Sequence, residues 1–346
     1  MIRYLLLGLL VFPVLSCKKT SPQLRDQSEK SSSAASVPDD AIAKSTSSET
    51  ADIGKKPDDP GGKVTPTPPT LEAGDLNIVW QHGSADCSQN QDPPLQVHAY
   101  NKNLTILRQN KCLNFEGPFL YLIFGANKAL LLDTGATASA TTFPLRTKVE
   151  ALLVEHYGAA NRPNINLVVA HTHAHGDHRA ADPQFTGQAA TTLVGTGQAA
   201  VASFFGIQNW PDQIVDYDLG GRVLQVIPVP GHEASHIALY DAQTGILFTG
   251  DTLYPGRIYV QDWTALRLSA TRLAKFVENR PVTKVLGTHI ELTKTVGVDY
   301  PTGTTYQPDE HALALSKDTV LLFNAELQKI GPQPMRKVLP DFIISP

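Results

Sequence analysis

Residues 168–181 read VVAHTHAHGDHRAA, and both fold and chemistry turn on this stretch. Four histidines and one aspartate fall within the eight positions 171–178. They follow the apolar run INLVVA (165–170), which reads as a buried strand. A strand end holds the residues after it rigidly, which suits a metal site. Neutral imidazole and carboxylate, with thiolate, are the ligands divalent zinc prefers. Alone, such a cluster does not separate ligands from packing. Three further candidates sharpen the case: His232 after RVLQVIPVP, Asp251 after GILFTG and His289 after KVLGT. Each again follows an apolar strand pattern and a glycine or small turn.

Outward from the cluster, LTILRQ, PFLYLIFG and KALLLDTG are short β-rich runs broken by Gly, Asn and Pro. FPLRTKVEALLVEHYG (143–158) reads as a helix, with Leu145, Val149, Leu152 and Leu153 on one face and Gly158 at its end. Downstream the pattern predicts a strand at TTLVG, a helix at 197–206, and strands at RVLQVIPVP, HIALYD and GILFTG. A helix at 264–279, the strand KVLGT and a long final helix over 308–330, starting near His311, complete it. The order gives two β-rich halves with helices attached to each. This is an α/β (α+β) chain with sheets face to face and helices outside.

Acidic residues outnumber basic ones 33 to 29, for a net charge of −4. That argues against a nucleic-acid partner, which calls for a basic face. Residues 1–17, MIRYLLLGLLVFPVLSC, read as an export signal, with Arg3 ahead of an apolar stretch too short to span a bilayer. Its end, VLSC, resembles a bacterial lipobox, which makes Cys17 the lipidation candidate. The expectation is a lipoprotein of the cell envelope, held to the membrane by an N-terminal lipid anchor; the alternative is plain secretion. Residues 18–73 are rich in Ser, Thr, Pro, Lys and Asp and read as a disordered tether. The folded domain is expected over 74–346. Cys87 and Cys112 are the two remaining cysteines, and an exported chain permits a disulfide between them.

With these motifs in hand, the chain resembles the metallo-β-lactamase fold hydrolases. The family signature H-x-H-x-D-H matches HAHGDH (His173–His178). The strand-end DTG matches Asp133, Thr134 and Gly135. G-H, G-D and H motifs follow in family order at Gly231–His232, Gly250–Asp251 and His289. The resemblance spans about residues 100–295 and implies a four-layer αββα sandwich. It further implies two divalent cations, zinc first, with iron or manganese also suited to His and carboxylate ligands. His173, His175 and His232 would form one site. Asp177, His178 and His289 would form the other, with Asp251 bridging both. Asp177 is also the candidate for orienting the nucleophile and moving its proton. Asp133 and His236 are expected to support the ligands, and His171 to orient the loop. Tyr254, Arg257, Tyr259, Tyr300 and Tyr306 are candidates for lining a substrate pocket.

The function implied is hydrolysis of a small molecule: hydroxide shared by two cations would attack the carbonyl of an ester, thioester, lactone or amide. True zinc β-lactamases usually lack the bridging aspartate. Glyoxalase-II-like thioesterases keep it, but carry a larger C-terminal part with basic glutathione contacts that the tail after His289 does not show. The competing readings are a mono-iron persulfide dioxygenase, a β-lactamase, and a surface module whose metal is structural.

Overall fold

A computed structural model of the protein describes residues 70–346. The export signal with Cys17, and the tether up to residue 69, lie outside the described residues. Glu72 already donates its N–H to the Gln243 carbonyl (2.7 Å), and Asn103 Nδ2 donates to its carboxylate (3.0 Å). The packed chain therefore begins slightly ahead of position 74.

The first sheet runs in chain order: β1 (Leu95–Asn101), β2 (Leu104–Gln109), β3 (Phe119–Phe124), β4 (Lys128–Leu132), β5 (Asn166–Ala170) and β6 (Thr191–Leu193). It is antiparallel as far as β4 and parallel across β4, β5 and β6. Helix α1 (Leu145–Tyr157) makes the crossover from β4 to β5. The one-turn α2 (Gly176–Arg179) follows β5, and α3 (Gln198–Phe205) follows β6. The second sheet begins at its edge with β7 (Val215–Asp218), then β8 (Val223–Pro228), β9 (Ile237–Asp241) and β10 (Ile246–Gly250). A small third sheet includes β11 (Arg257–Tyr259), and helix α4 (Trp263–Val277) leads back to the second. There β12 (Lys284–Gly287) pairs parallel to β10, and β13 (Ala314–Leu315) closes the far edge. Helix α5 (Lys317–Ile330) precedes β14 (Lys337–Val338) and β15 (Ile343–Ser345), which complete the third sheet beside β11.

Strand alternation explains the layers, because successive side chains leave a strand on opposite faces. On β2 and β3, Leu104, Ile106, Tyr121 and Ile123 enter the core between the sheets, with Leu224, Val226, Leu239 and Phe248 from the second sheet. Their neighbours Leu107, Leu120 and Leu122 face outward onto Leu145, Val149 and Leu153 of α1. On the opposite side, Ile227, Ala238, Tyr240 and Leu247 meet α4 and α5. Each fully buried Leu, Ile or Phe contributes roughly 1.5–3 kcal/mol. β2 and β3 of the first sheet and β9 and β10 of the second are buried along their whole length, so both sheets are covered on both faces there. The sandwich is thus αββα, as expected.

One expectation is corrected. The final helix starts at Lys317, not near 308. Ser316 Oγ accepts from the Thr319 N–H, and Thr319 Oγ1 answers the Ser316 N–H, which fixes the start. The preceding Ala314 and Leu315 instead satisfy the open edge of β12. His311 lies ahead of the helix, its N–H bonded to the Leu292 carbonyl. Cys87 and Cys112 are joined by a disulfide.

Candidate metal centre

Four strand ends deliver the site. β5 stops at Ala170 and leads through His173 and His175 into α2. β8 runs out through Pro230 to His232, β10 ends immediately before Asp251, and β12 ends two residues before His289. Gly250 sits at φ +50, and a Cβ there would stand 2.8 Å from the His236 ring, so glycine is needed to bring the β10 end against that imidazole.

The side chains gather in two sets, His173, His175 and His232, and Asp177, His178, Asp251 and His289; the candidate ligand atoms of each set lie within 4.8 Å of one another. In the first set, His173 Nε2 stands 2.9 Å from His175 Nδ1. His232 Nε2 stands 3.0 Å from His175 Nδ1 and 3.2 Å from His173 Nε2. In the second set, Asp177 Oδ2 lies 3.4 Å from His178 Nε2 and 3.3 Å from His289 Nε2. Asp251 lies between the sets: its Oδ2 is 3.4 Å from His178 Nε2 and 3.7 Å from His232 Nε2, and its Oδ1 is 3.6 Å from His289 Nε2.

Do these residues fit cations? His232 holds its one ring proton on Nδ1, against the Tyr259 carbonyl, so its Nε2 brings a lone pair to the triangle. Nitrogens about 2.0–2.1 Å from a tetrahedral ion stand about 3.3 Å apart, close to the spacing found. His178 Nε2, His289 Nε2 and Asp251 Oδ1 are buried without any hydrogen-bond partner. Buried polar atoms are normally paired, so three orphans on one wall mark a place for a charged ligand. The electrostatics agree. Burial disfavours charge on His173, and the surrounding imidazoles add to this, so its pKa falls well below the ordinary value and its lone pair stays available. Burial also opposes charge on His289, but Asp251 and Asp177 outweigh it and lift the group to about 9. The second set thus demands positive charge. The donor set fits two divalent cations.

Outer partners orient the imidazoles. Asp133 Oδ1 accepts from the Thr172 N–H (2.7 Å), and its Oδ2 faces His178 Nδ1 (3.0 Å). His232 Nδ1 donates to the Tyr259 carbonyl (2.8 Å), and His289 Nδ1 to the Glu116 carbonyl (3.2 Å). His236 accepts from the Asp251 N–H through Nε2 (3.1 Å) and stacks on His173. His171 faces away, onto Asp182 (2.8 Å). The carbonyls of Tyr259 and Glu116 left no trace in the sequence pattern, since any residue supplies a carbonyl. Gln261, whose side-chain nitrogen lies 2.9 Å from His175 Nε2, also carried no motif.

The expected pocket residues are mostly engaged elsewhere. Arg257 is held by Glu291 (2.8 Å) and Asp299 (2.7 Å), and its Nε donates to the Tyr259 hydroxyl. Tyr254 is buried; its hydroxyl bonds the Arg257 carbonyl while its ring packs on the edge of His289. Tyr300 accepts from the Asp309 N–H, and Tyr306 packs against His82. Arg257, Tyr254, Tyr259 and Tyr300 thus have protein partners for their polar tips, whereas Tyr306 offers only its ring. A cavity of about 480 Å³ opens instead beside Gly231 and Gln261, walled by Trp210, Pro211, Pro230 and Glu233.

The chain belongs to the metallo-β-lactamase superfamily, whose sequence profile matches residues 114–289. It is an enzyme of that hydrolase superfamily with residues able to hold metal. It is 27% identical over 207 residues to an acyl-coenzyme A thioesterase, MBLAC2, of Gallus gallus, covering 50% of this chain and 72% of that one. It is 34% identical over 100 residues to a hydroxyacylglutathione hydrolase of Chelativorans sp. (strain BNC1), spanning 28% of this chain and only 38% of that enzyme's length. Among solved structures, a metallo-β-lactamase from Pontibacter korlensis covers 68% of this chain and 99% of its own, at 19% identity and a TM-score of 0.43.

Proposed function

We propose that the protein is a dinuclear metal hydrolase cleaving the acyl bond of a small ester or thioester. The observation that carries this reading is the position of Asp251, whose two oxygens face both ligand sets. A structural zinc site is closed and made of four ligands; seven side chains around one shared carboxylate suit chemistry better. When bound, two divalent ions supply a water that ionises near neutral pH and positive charge for the attacked oxygen. The protein's own contribution is placement. His173, His175 and His232 would hold one ion, and Asp177, His178 and His289 the other. Asp177 has a quarter of its side chain exposed and is the most open of the second set. Its carboxylate is the group that can take the proton of the attacking water and return it to the leaving group.

One relative named above is called an acyl-coenzyme A thioesterase and another a hydrolase of hydroxyacylglutathione, which favours an acyl-sulfur bond. The cavity beside Gly231 narrows the substrate further. Its volume suits a small molecule. Glu233 and Asp262 line it, and no Lys or Arg does. That wall suits an uncharged carrier better than a polyanionic one. The test is metal analysis joined to a matched series: one acyl group on N-acetylcysteamine, on glutathione and on coenzyme A, with a lactone and a β-lactam beside them. Two ions per chain and best turnover of the uncharged thioester are expected. One iron per chain with oxygen uptake would replace the reading by a dioxygenase, and turnover of the β-lactam alone by a lactamase.

We also propose that the chain is exported and lipid-anchored through Cys17. The Cys87–Cys112 bond supports an oxidising compartment. Among the described residues no helix is long and apolar enough to cross a membrane. Fatty-acid labelling that survives Cys17→Ser would sink this.

A further inference from the structure

His175 differs from His232 and His289 in what holds it. His232 and His289 each give an outer N–H to a backbone carbonyl, which can only accept. Their proton positions are therefore set by the fold, whatever the side chains nearby. At His175 the outer partner is the Gln261 side chain, 2.9 Å from Nε2. An amide can donate from one end or accept at the other, so here the sequence makes the choice.

The geometry allows only one choice if a cation is to sit in the first set. His175 Nδ1 points into the triangle, 2.9 Å from His173 Nε2 and 3.0 Å from His232 Nε2. A proton on Nδ1 would occupy the place of the ion. The neutral ring must carry its proton on Nε2, and that N–H needs an acceptor. The amide nitrogen of Gln261 is no acceptor. Turned about its last bond, the amide presents Oε1 at the same place with no change of shape.

We propose that Gln261 is the positioning residue of the first metal site. Its Oε1 accepts the Nε2–H of His175 and so turns the Nδ1 lone pair toward the ion. This rests on the dinuclear reading above. The backbone prepares Gln261 for the task. Its N–H and that of Asp262 both donate to the Gly231 carbonyl at 2.9 Å, one residue from His232. Two residues earlier, Tyr259 gives His232 its carbonyl. The short run 259–262 thus clips two ligands of one set, one by backbone and one by side chain. It is anchored through β11 to the C-terminal strand β15.

Three variants of the full chain separate this from a packing role. Gln261→Glu can only accept, Gln261→Lys can only donate, and Gln261→Leu does neither. Gln261 is exposed, so none of the three leaves a hole in the core. Zn²⁺ affinity is read by chelator competition, and the tautomer of His175 by ¹⁵N NMR of the imidazoles. Gln261→Leu and Gln261→Lys are expected to weaken one of two Zn²⁺ ions by about 10–100-fold and leave the other unchanged. Gln261→Glu is expected to keep both the affinity and the Nε2–H form. Equal affinities for wild type, Leu and Lys variants would overturn the assignment alone. Wild-type protein that binds no Zn²⁺ would overturn the dinuclear reading as well.

Discussion

The first ligand set presents three imidazoles and no carboxylate of its own, while the second mixes two imidazoles with two carboxylates. A divalent ion in the second set would meet Asp177 and Asp251. One in the first set would meet a carboxylate of the two sets only through Asp251, 3.7 Å from His232 Nε2. The supports differ in the same sense. Buried Asp133 stands behind His178, whereas neutral carbonyl and amide groups stand behind His232 and His175. Charge supports the second set more than the first, while His289 too rests on a neutral carbonyl, that of Glu116. The first site should therefore depend on the shared aspartate more than the second does.

Asp251→Asn is the strongest way to break that asymmetry. It should reduce the metal content from two ions to one, with the ion of the first set lost. Turnover should fall about 10³-fold, the equivalent of several kcal/mol of lost charge stabilisation. Metal analysis of the purified variant checks this, and two retained ions would mean the first set holds its cation without help.

Next in size is a stability effect beneath the loop that serves His289. Lys111 is buried below it, its Nζ donating to the Phe115 carbonyl (2.9 Å). Burial, helped by Arg108 and opposed by Glu310 and Glu116, lowers its pKa from 10.5 to about 8. Below pH 8 folded and unfolded chains both carry the proton, and the cost of burying the ammonium is fully present. Between about 8 and 10.5 only the unfolded chain holds it, so folding gains with rising pH. The gain approaches about 3 kcal/mol. Denaturant titrations of wild type and Lys111→Met at pH 7 and 10 should show wild type catching up by that order; a constant gap would refute it.

The smallest effect sharpens the comparison from the other side. Asp133 adopts φ +68, a conformation asparagine tolerates. Asp133→Asn can still accept from the Thr172 N–H, but its amide then turns a donor toward His178 Nδ1. The second ion should bind about 10–100-fold more weakly and the first unchanged. Chelator competition resolves the two, and a loss confined to the first ion would reverse the roles assigned to the sets.

Much of this was legible beforehand. The ligands follow apolar strands, and the burial of β3 and β10 along their whole length follows directly from their apolar runs. The final helix was misplaced because ALAL suits helix and sheet edge equally, and only the open side of β12 decides between them. Strands β1, β7 and β15 are partly exposed or very short, so their patterns are faint. Arg257 and the tyrosines around it were expected at a pocket because they follow Asp251 in the chain. Glu291 and Asp299, distant in sequence, claim the arginine instead.

By itself the sequence determined which side chains can bind metal, since imidazole and carboxylate at strand ends are a matter of residue type and local period. The tertiary structure alone decided how they are shared out. The 3.4–3.7 Å reach of Asp251 into both sets, the carbonyls of Tyr259 and Glu116, and the amide of Gln261 depend on where separate strands stop. Backbone groups look alike at every position, and an amide at 261 carries no signal until folding sets it against His175.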